Sequence, residues 1–306
     1  MKETFGQKTR RSHKRNQRVV MFWCAFVFAF VIAGVWLFRG TLFQNDSGAS
    51  SSGTNQSRHD ACGTADSRQK STDVTQAPMD HEVWQKLQDL VSQDQRVQQV
   101  IDNCEIYPED ILKMLSRNLD MLNFVLEYPE KVGQVFAETV GEVEGGEVPL
   151  LLQYDQRWGY GDYGNSSVAV SGCGACLSMV ITSLTGDDTI TPYVVAQYAS
   201  EQGYYVPGAG TAWTLMSEGA KHFGVIGEEL PLTKSIMEGV LKEGRPIICS
   251  MRPGDFTTTG HFIVITGIKD GQFTVNDPNS TERSNMLWDY DTLKPQISNL
   301  WAFQAL

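Results

Sequence analysis

The spacing of hydrophobic residues divides the chain into four successive regions. Residues 19–38 are uncharged and mostly aromatic or branched, whereas residues 39–80 are polar and show no apolar period. Residues 81–140 repeat hydrophobic side chains every three or four positions, which is the period of an amphipathic helix. Residues 147–306 show helical spacing first and then short apolar runs that are typical of strands. Helices followed by antiparallel strands predict an α+β fold.

The first of these regions predicts a membrane anchor. Its uncharged run is long enough to span a bilayer, longer than the apolar part of a signal peptide, and followed by no good A-x-A cleavage site. Residues 1–18 carry seven basic residues and one acid, so the positive-inside rule keeps this tail in the cytoplasm. We therefore expect a transmembrane helix over residues 19–38 of the cell membrane. Residues 39–306 should then lie outside, with residues 39–80 as a disordered linker.

The helical region at residues 81–140 is expected to be a spacer or a small packing subdomain. Its apolar stripe continues beyond Tyr107-Pro108, where a second helix has proline in its first turn. Tyr128-Pro129 should end that helix, because the residue before a proline avoids the helical conformation. A pro-segment that covers an active site is the alternative interpretation of these helices.

Threonine and glycine mark the helix boundaries after residue 147. Thr191 precedes a helix that is followed by Gly203, and Thr233 precedes one that is followed by Gly244. Between them, Thr211 precedes a predicted helix that runs to Phe223 and is followed by Gly224. This is the usual placement of N-cap residues and of glycines beyond a helix end. Asp270-Gly271 is a strong hairpin signal. Strands are predicted at 246–251, 261–266, 272–276 and 300–304.

Cys173 lies between two glycines at the start of an apolar helical run. The hydrophobic residues that follow share one helix face: Leu177, Val180, Ile181 and Leu184. Cys173 should therefore lie near a buried helix N-terminus, where unpaired N–H groups and the helix dipole favour a thiolate. The flanking glycines should let a substrate backbone approach closely. Cys176 shares the buried face, but the Cys-Gly-Ala-Cys spacing makes it the alternative nucleophile.

His261 is the best candidate for the base that a catalytic thiolate needs. It starts an apolar strand, where packing alone does not explain a polar ring. The orienting group should accept the Nδ1–H of the imidazole, and both Asn276 and Asp277 end the returning strand. A two-residue hairpin loop pairs Ile265 with Asn276 and puts Asn276 on the His261 face. A three-residue, bulged loop puts Asp277 there instead.

An oxyanion site needs hydrogen-bond donors aimed at the developing charge. The backbone N–H of Cys173 is one candidate, and the side-chain amide of Gln153 is the second. The net charge is −11 for the chain and, with +6 on residues 1–18 and none on residues 19–38, −17 for residues 39–306. Such acidity argues against a nucleic-acid partner. No second Cys or His pair has the spacing of zinc ligands, so neither a metal nor a cofactor is predicted.

Five segments carry a family resemblance that covers about residues 147–306: Gln153, Trp158, Gly172-Cys173-Gly174, Gly260-His261 and Asn276-Asp277-Pro278. In this order they resemble the papain-like cysteine peptidases, and among these the relatives of the bacteriocin leader-processing peptidases. The resemblance implies a helical half and an antiparallel β half, with the active site in the cleft between them. It also implies Cys173 as nucleophile, His261 as base, Asp277 as orienting group and Gln153 in the oxyanion hole.

Two features depart from those relatives. Only Ala175 separates Cys173-Gly174 from Cys176-Leu177, where the relatives usually have two residues. The chain also contains no G-x-x-x-x-G-K-[ST] loop, so a part in leader export is not supported.

The sequence therefore predicts a membrane-anchored, extracytoplasmic cysteine peptidase that cleaves peptide or protein substrates through a Cys-His-Asp triad. Two alternatives stay open. One is a thiol–disulfide oxidoreductase that uses Cys173 and Cys176, although this function leaves His261 and Asp277 unused. The other is an inactive peptidase fold that serves as a surface binding module, which the intact set of Cys, His and Asp argues against.

Overall fold

The computed structural model describes residues 80–171, 173–207 and 210–306, and of Cys173 it describes the backbone only. The predicted cytoplasmic tail and transmembrane helix lie outside the described residues. So does the predicted linker at 39–80, except for its last residue. Within the described part of the chain, no helix is both long and apolar enough to cross a membrane.

Helices come first along the described chain and most of the long strands come last, which confirms the predicted α+β class. The helices are α1 (His81–Val91), α2 (Val97–Asp102), α3 (Glu109–Leu115), α4 (Leu122–Lys131), α5 (Val168–Ser171), α6 (Cys173–Thr185), α7 (Pro192–Glu201), α8 (Thr214–Ser217), α9 (Lys234–Lys242), α10 (Thr281–Ser284) and α11 (Tyr290–Leu293). The strands are β1 (Asp162–Tyr163), β2 (Ser166–Ser167), β3 (Tyr205–Val206), β4 (Gly210–Thr211), β5 (Val225–Glu229), β6 (Ile247–Met251), β7 (His261–Lys269), β8 (Gln272–Asn276), β9 (Leu287–Trp288) and β10 (Ile297–Ala305). Short 3-10 turns lie at Cys104–Ile106, Leu119–Met121, Gly219–Phe223 and Lys294–Gln296.

The main sheet is antiparallel, in the order β5-β10-β6-β7-β8-β9. Alternate residues of its central strands enter two different cores, because successive side chains of a strand point to opposite faces. Ile248 and Val264 pack against α6 on one face. Cys249 and Ile263 pack with α9 on the other face. Strands β6 and β7 are thus covered on both sides, which explains their continuous apolar runs.

Helix α6 lies in the middle of the first core. The predicted apolar face is confirmed for Leu177, Val180 and Ile181, which are fully buried, and the polar Ser178 between them is buried as well. Gly174 has a packing role of its own. A Cβ atom built on it would lie 2.8 Å from the carbonyl oxygen of Pro192 at the start of α7. The close approach at this glycine therefore comes from a neighbouring helix of the protein.

Two of the three helices predicted from threonine and glycine are confirmed. The one predicted from Thr211 to Phe223 is wrong, because Thr211 lies in β4 and the stretch holds only α8 and a 3-10 turn. Thr191 caps α7 by accepting a hydrogen bond from the Val194 amide at 3.3 Å. Gly203 and Gly244 follow α7 and α9 with φ angles of +75° and +76°, the left-handed conformation that glycine adopts without strain. Thr233 stands at the N-cap of α9, but its side chain makes no capping hydrogen bond.

Helices α1–α4 share a hydrophobic core with residues of the following domain. Phe124 stacks on Tyr160 with ring centroids 4.4 Å apart, and Tyr154 and Ala169 belong to the same core. The helical region therefore packs directly on the segment that leads to α6. The domain limits at 81–140 and 147–306 stay a prediction.

The prediction that Tyr128-Pro129 ends a helix is wrong, because α4 continues to Lys131 with Pro129 inside it. Inside a helix, proline removes one backbone hydrogen bond, and its ring crowds the carbonyl of the preceding turn. The next turn is held because Tyr128 packs edge-on against Phe124 at 5.7 Å and its carbonyl accepts from the Val132 amide at 3.0 Å. After α4 the chain leaves the helical conformation, and its backbone amides donate to the carbonyls of Tyr160 and Arg157 in the following domain.

Candidate functional site

The hairpin of β7 and β8 decides which polar residue faces His261. Its turn has two residues, since Lys269 pairs with Gln272, but the register shifts between Ile265 and Gly267. The extra residue in β7 moves Ile265 opposite Val275, so that Asn276 pairs with Val264. Each of the two sequence alternatives is partly wrong. The loop has two residues, as the first alternative assumes, but a bulge is present, as the second assumes, and it lies within β7 and not in the loop. Asp277 consequently falls on the His261 face.

His261 and Asp277 form a hydrogen-bonded pair, with His261 Nε2 2.7 Å from Asp277 Oδ1. The prediction that Nδ1 faces the orienting group is wrong. Continuing the ladder places Asp277 opposite Ile263 and therefore diagonal to His261, about 7–8 Å away along such a diagonal. Nε2 is the ring nitrogen farther from the backbone, which suits this diagonal contact. Nδ1 is then the nitrogen left for another partner.

The Asp277 carboxylate is completely buried and has further partners besides histidine. Arg283 Nε donates to its Oδ2 at 2.5 Å, and the Asn279 amide donates to its Oδ1 at 2.8 Å. Burial alone would raise the pKa of Asp277, but the charges and hydrogen bonds of His261 and Arg283 outweigh it. The pKa of Asp277 therefore lies below its ordinary value. The carboxylate is ionised and acts as a fixed acceptor.

Sequence reasoning missed Arg283, which lies six residues after Asp277. The Ser280 side chain accepts from the Arg283 amide at 3.1 Å and caps α10. This single helical turn brings the guanidinium back to the carboxylate. In the sequence, a serine just after Asn-Asp-Pro could have indicated the start of this helix, but it does not indicate where the Arg283 side chain points.

Asn276 has a different partner from the one considered for it. Its Nδ2 donates to the carbonyl oxygen of Val148 at 2.9 Å. The side chain thus fastens the end of β8 to the segment that enters the domain, and it makes no hydrogen bond with His261 among the described residues.

Gln153 is buried and connects the Asp277 turn to the segment before α6. Its backbone amide donates to the Pro278 carbonyl at 2.8 Å. Its Nε2 donates to the Ala169 carbonyl in α5 at 2.5 Å, and its Oε1 has no partner among the described residues. A primary amide nitrogen carries two hydrogens, so one donor of Gln153 remains beside α5.

The two cysteines of the Cys-Gly-Ala-Cys segment differ in position. Cys173 is the first residue of α6. Cys176 lies one turn further on and is completely buried in the core that contains Leu177 and Val180. A third cysteine, Cys249, is completely buried on the other side of the sheet, and burial raises the pKa of its thiol.

A cavity of about 490 Å³ opens beside Arg283, on the side of Trp288 and Asp289. Its lining includes neither His261 nor Asp277. Across the described ranges, no group of three His, Cys, Asp or Glu side chains is placed to hold a metal ion.

Comparison with known proteins adds one finding to this geometry. The family model described as "Peptidase_C39 like family" matches residues 146–304, just over half of the chain. The match spans Gln153, the start of α6, His261 and Asp277. No curated protein and no solved structure gives a significant match to the chain.

Proposed function

The chain belongs to the Peptidase_C39 like family, and from this premise we propose that it is a cysteine peptidase that cleaves peptide bonds in peptide or protein substrates. The observation that carries the proposal is the pair of His261 and Asp277. A buried, ionised carboxylate 2.7 Å from an imidazole nitrogen is the arrangement that orients a catalytic base.

Cys173 is the proposed nucleophile. It begins α6, and the first turn of a helix stabilises a negative charge. Cys176 is the weaker candidate, since its side chain is completely buried among apolar residues and a substrate cannot reach it.

The proposed reaction is acyl transfer. His261 holds the proton of the Cys173 thiol on Nδ1, because Nε2 is committed to Asp277. The thiolate attacks the peptide carbonyl carbon, and the C–N bond breaks as the imidazolium gives its proton to the leaving amine. Water, deprotonated by His261, then attacks the thioester and releases the acid and the thiol.

Gln153 is proposed to stabilise the oxyanion together with the backbone N–H of Cys173. One amide hydrogen of Gln153 is used by the Ala169 carbonyl, which fixes the side chain and leaves the other for the substrate. A preorganised donor of this kind stabilises the transition state because it does not reorganise during the reaction.

The test uses the full-length protein, a peptide library and iodoacetamide, with the alkylated residue mapped by mass spectrometry. The wild type should cleave peptides and be alkylated at Cys173, and Cys173→Ala should lose both. Cys176→Ala is the matched control and should keep both. Cleavage that persists in Cys173→Ala would show that the nucleophile lies elsewhere. Alkylation without any cleavage would favour an inactive binding module.

We also propose that residues 19–38 anchor the protein in the cell membrane and that the peptidase domain faces outward. The support is the uncharged twenty-residue run and the basic tail before it. Protease added to intact cells should degrade residues 147–306, and a cytoplasmic marker protein should survive. A domain that resists until the cells are lysed would contradict the proposed orientation.

A further inference from the structure

The helical region lies outside the family match, yet it bonds to both loops that carry the candidate base and its carboxylate. Arg117 Nη1 donates to Thr258 Oγ1 at 2.9 Å, in the loop that leads into β7. Asn118 Nδ2 donates to the carbonyl oxygen of Asn279 at 2.7 Å, two residues beyond Asp277. A segment between α3 and α4 therefore contacts the site from outside the matched domain.

Asn118 is connected to the histidine through a short series of hydrogen bonds. The carbonyl of Asn279 accepts from Asn118, and the amide of Asn279 donates to Asp277 Oδ1. The same Oδ1 lies 2.7 Å from His261 Nε2. Asn279 is thus held at both of its polar backbone groups, one of them by the helical region.

A second bond joins the helical region to the same turn. The Thr281 hydroxyl donates to the carboxylate of Asp120. Asp120 is itself fixed, because its amide donates to Asn118 Oδ1 at 3.1 Å in the cap of a 3-10 turn. Both polar atoms of the Asn118 side chain are therefore in use.

These contacts come from a packed body, since α4 follows directly and Phe124 in it stacks on Tyr160. Side chains positioned by packed elements hold a geometry more accurately than side chains on loose loops. The helical region is therefore suited to hold the turn after β8 in one conformation.

We propose that Asn118 is a positioning residue, which holds the Asp277–Asn279 turn so that Asp277 Oδ1 stays within reach of His261 Nε2. Its effect on catalysis rests on the proposed function, whereas its effect on the histidine–carboxylate hydrogen bond does not. The helical region is then a permanent part of the catalytic unit, and its removal does not activate the enzyme.

The experiment compares Asn118→Ser with Asn103→Ser in the full-length protein. Serine caps a helical turn as well as asparagine does, so Asn118→Ser keeps the cap and loses the donor to Asn279. Asn103→Ser is the matched control, because Asn103 Nδ2 donates only within the helical region, to the Gln99 carbonyl at 2.8 Å. The readouts are kcat and KM for a cleaved library peptide and the downfield proton NMR signal of the His261 ring, assigned by its loss in His261→Gln.

We expect Asn118→Ser to lower kcat about tenfold, which corresponds to one lost hydrogen bond, with KM within about twofold. Its downfield signal should shift or broaden, and Asn103→Ser should change neither readout. A wild-type kcat and an unchanged signal in Asn118→Ser would overturn the proposal, as would equal effects in both variants. If the wild type cleaves no peptide, the proposed function fails. The NMR signal alone then decides whether Asn118 positions the pair.

Discussion

Val264 of β7 lies opposite Asn276 of β8, one position away from the pairing that the two-residue turn at Asp270-Gly271 gives a regular hairpin. The extra residue is Thr266, whose hydroxyl bonds with that of Thr274 at 2.9 Å. A bulge of this kind re-aims the side chains that follow it. It turns Asn276 away from His261 and brings the next residue to it.

Asp277→Ala should therefore lower kcat/KM far more than Asn276→Ala. Loss of the carboxylate leaves the His261 ring without its acceptor and should cost about 10²–10⁴-fold, the range attributed to a positioned base. Asn276→Ala loses one hydrogen bond to Val148 and should cost about 1 kcal/mol of unfolding free energy. Peptide cleavage and urea unfolding measure the two effects. The reverse order of activity would mean that Asn276 is the orienting residue.

The bulge also shows what a single sequence leaves open at this site. The turn residues Asp270-Gly271 are visible, but Thr266 carries no local mark of the extra position. The distance between Asp277 and the His261 backbone depends on that register. The sequence alone therefore does not decide whether Nδ1 or Nε2 of His261 bonds to the carboxylate. Arg283 depends on the direction in which α10 turns, which is likewise set by tertiary packing.

The fold was more predictable, because its signals are local. Thr191 and Gly203 mark their helix by capping chemistry, and the buried face of α6 follows from helical spacing. Strand β5 (Val225–Glu229) was missed. It contains Gly227 and two acids, and it is defined by pairing with β10 some seventy residues later. The helix end predicted at Pro129 is wrong for a similar reason. Packing of Tyr128 against Phe124 outweighs the preference of a residue before proline for a non-helical conformation.

Arg283→Gln should shift the pH dependence of stability. The folded-state pKa of Asp277 is depressed, so its ionised form stabilises the fold above the unfolded pKa of about 3.9, and this contribution is lost as the pH falls through the folded-state pKa. Removal of Arg283 raises the folded-state pKa towards the unfolded value, so the loss on acidification becomes smaller and is complete at a higher pH. At neutral pH the variant should also lose about 3 kcal/mol, as expected for breaking a buried ion pair.

The measurement is the unfolding free energy in urea from about pH 3 to about pH 7. The control is Arg252→Gln, because Arg252 Nη2 donates to the Ile297 carbonyl at 2.9 Å and not to a carboxylate. That variant should lower the unfolding free energy by the same amount at every pH. A parallel shift for Arg283→Gln as well would show that Arg283 does not govern the Asp277 carboxylate.

Alkylation of the native protein should separate the cysteines by their surroundings. Cys173 should react with iodoacetamide well below the free-thiol pKa of about 8.5, since the proposed imidazolium stabilises its thiolate. Cys249 should stay unmodified, because it is completely buried and burial raises the pKa of its thiol. Mass spectrometry after brief exposure between about pH 5 and about pH 9 gives the two rates. A Cys173 rate that rises only near pH 8.5, or that ignores His261→Ala, would refute the ion pair.

The close contact of α6 with α7 gives a prediction about Gly174 that does not depend on catalysis. A Cβ at this position would lie 2.8 Å from the Pro192 carbonyl oxygen, a backbone atom that cannot move without shifting the start of α7. Gly174→Ala should therefore lower the unfolding free energy by about 1–3 kcal/mol, as overpacking of a core does.

Gly239 in α9 is the matched control for that substitution. It also lies inside a helix, but a Cβ there would meet no atom within 4 Å. Gly239→Ala should raise stability by about 0.5–1 kcal/mol, because alanine restricts the unfolded chain more than glycine does. Thermal and urea unfolding of both variants measure the contrast. Equal changes in the two would mean that α7 yields at Pro192, and that Gly174 is not required for the packing that surrounds the start of α6.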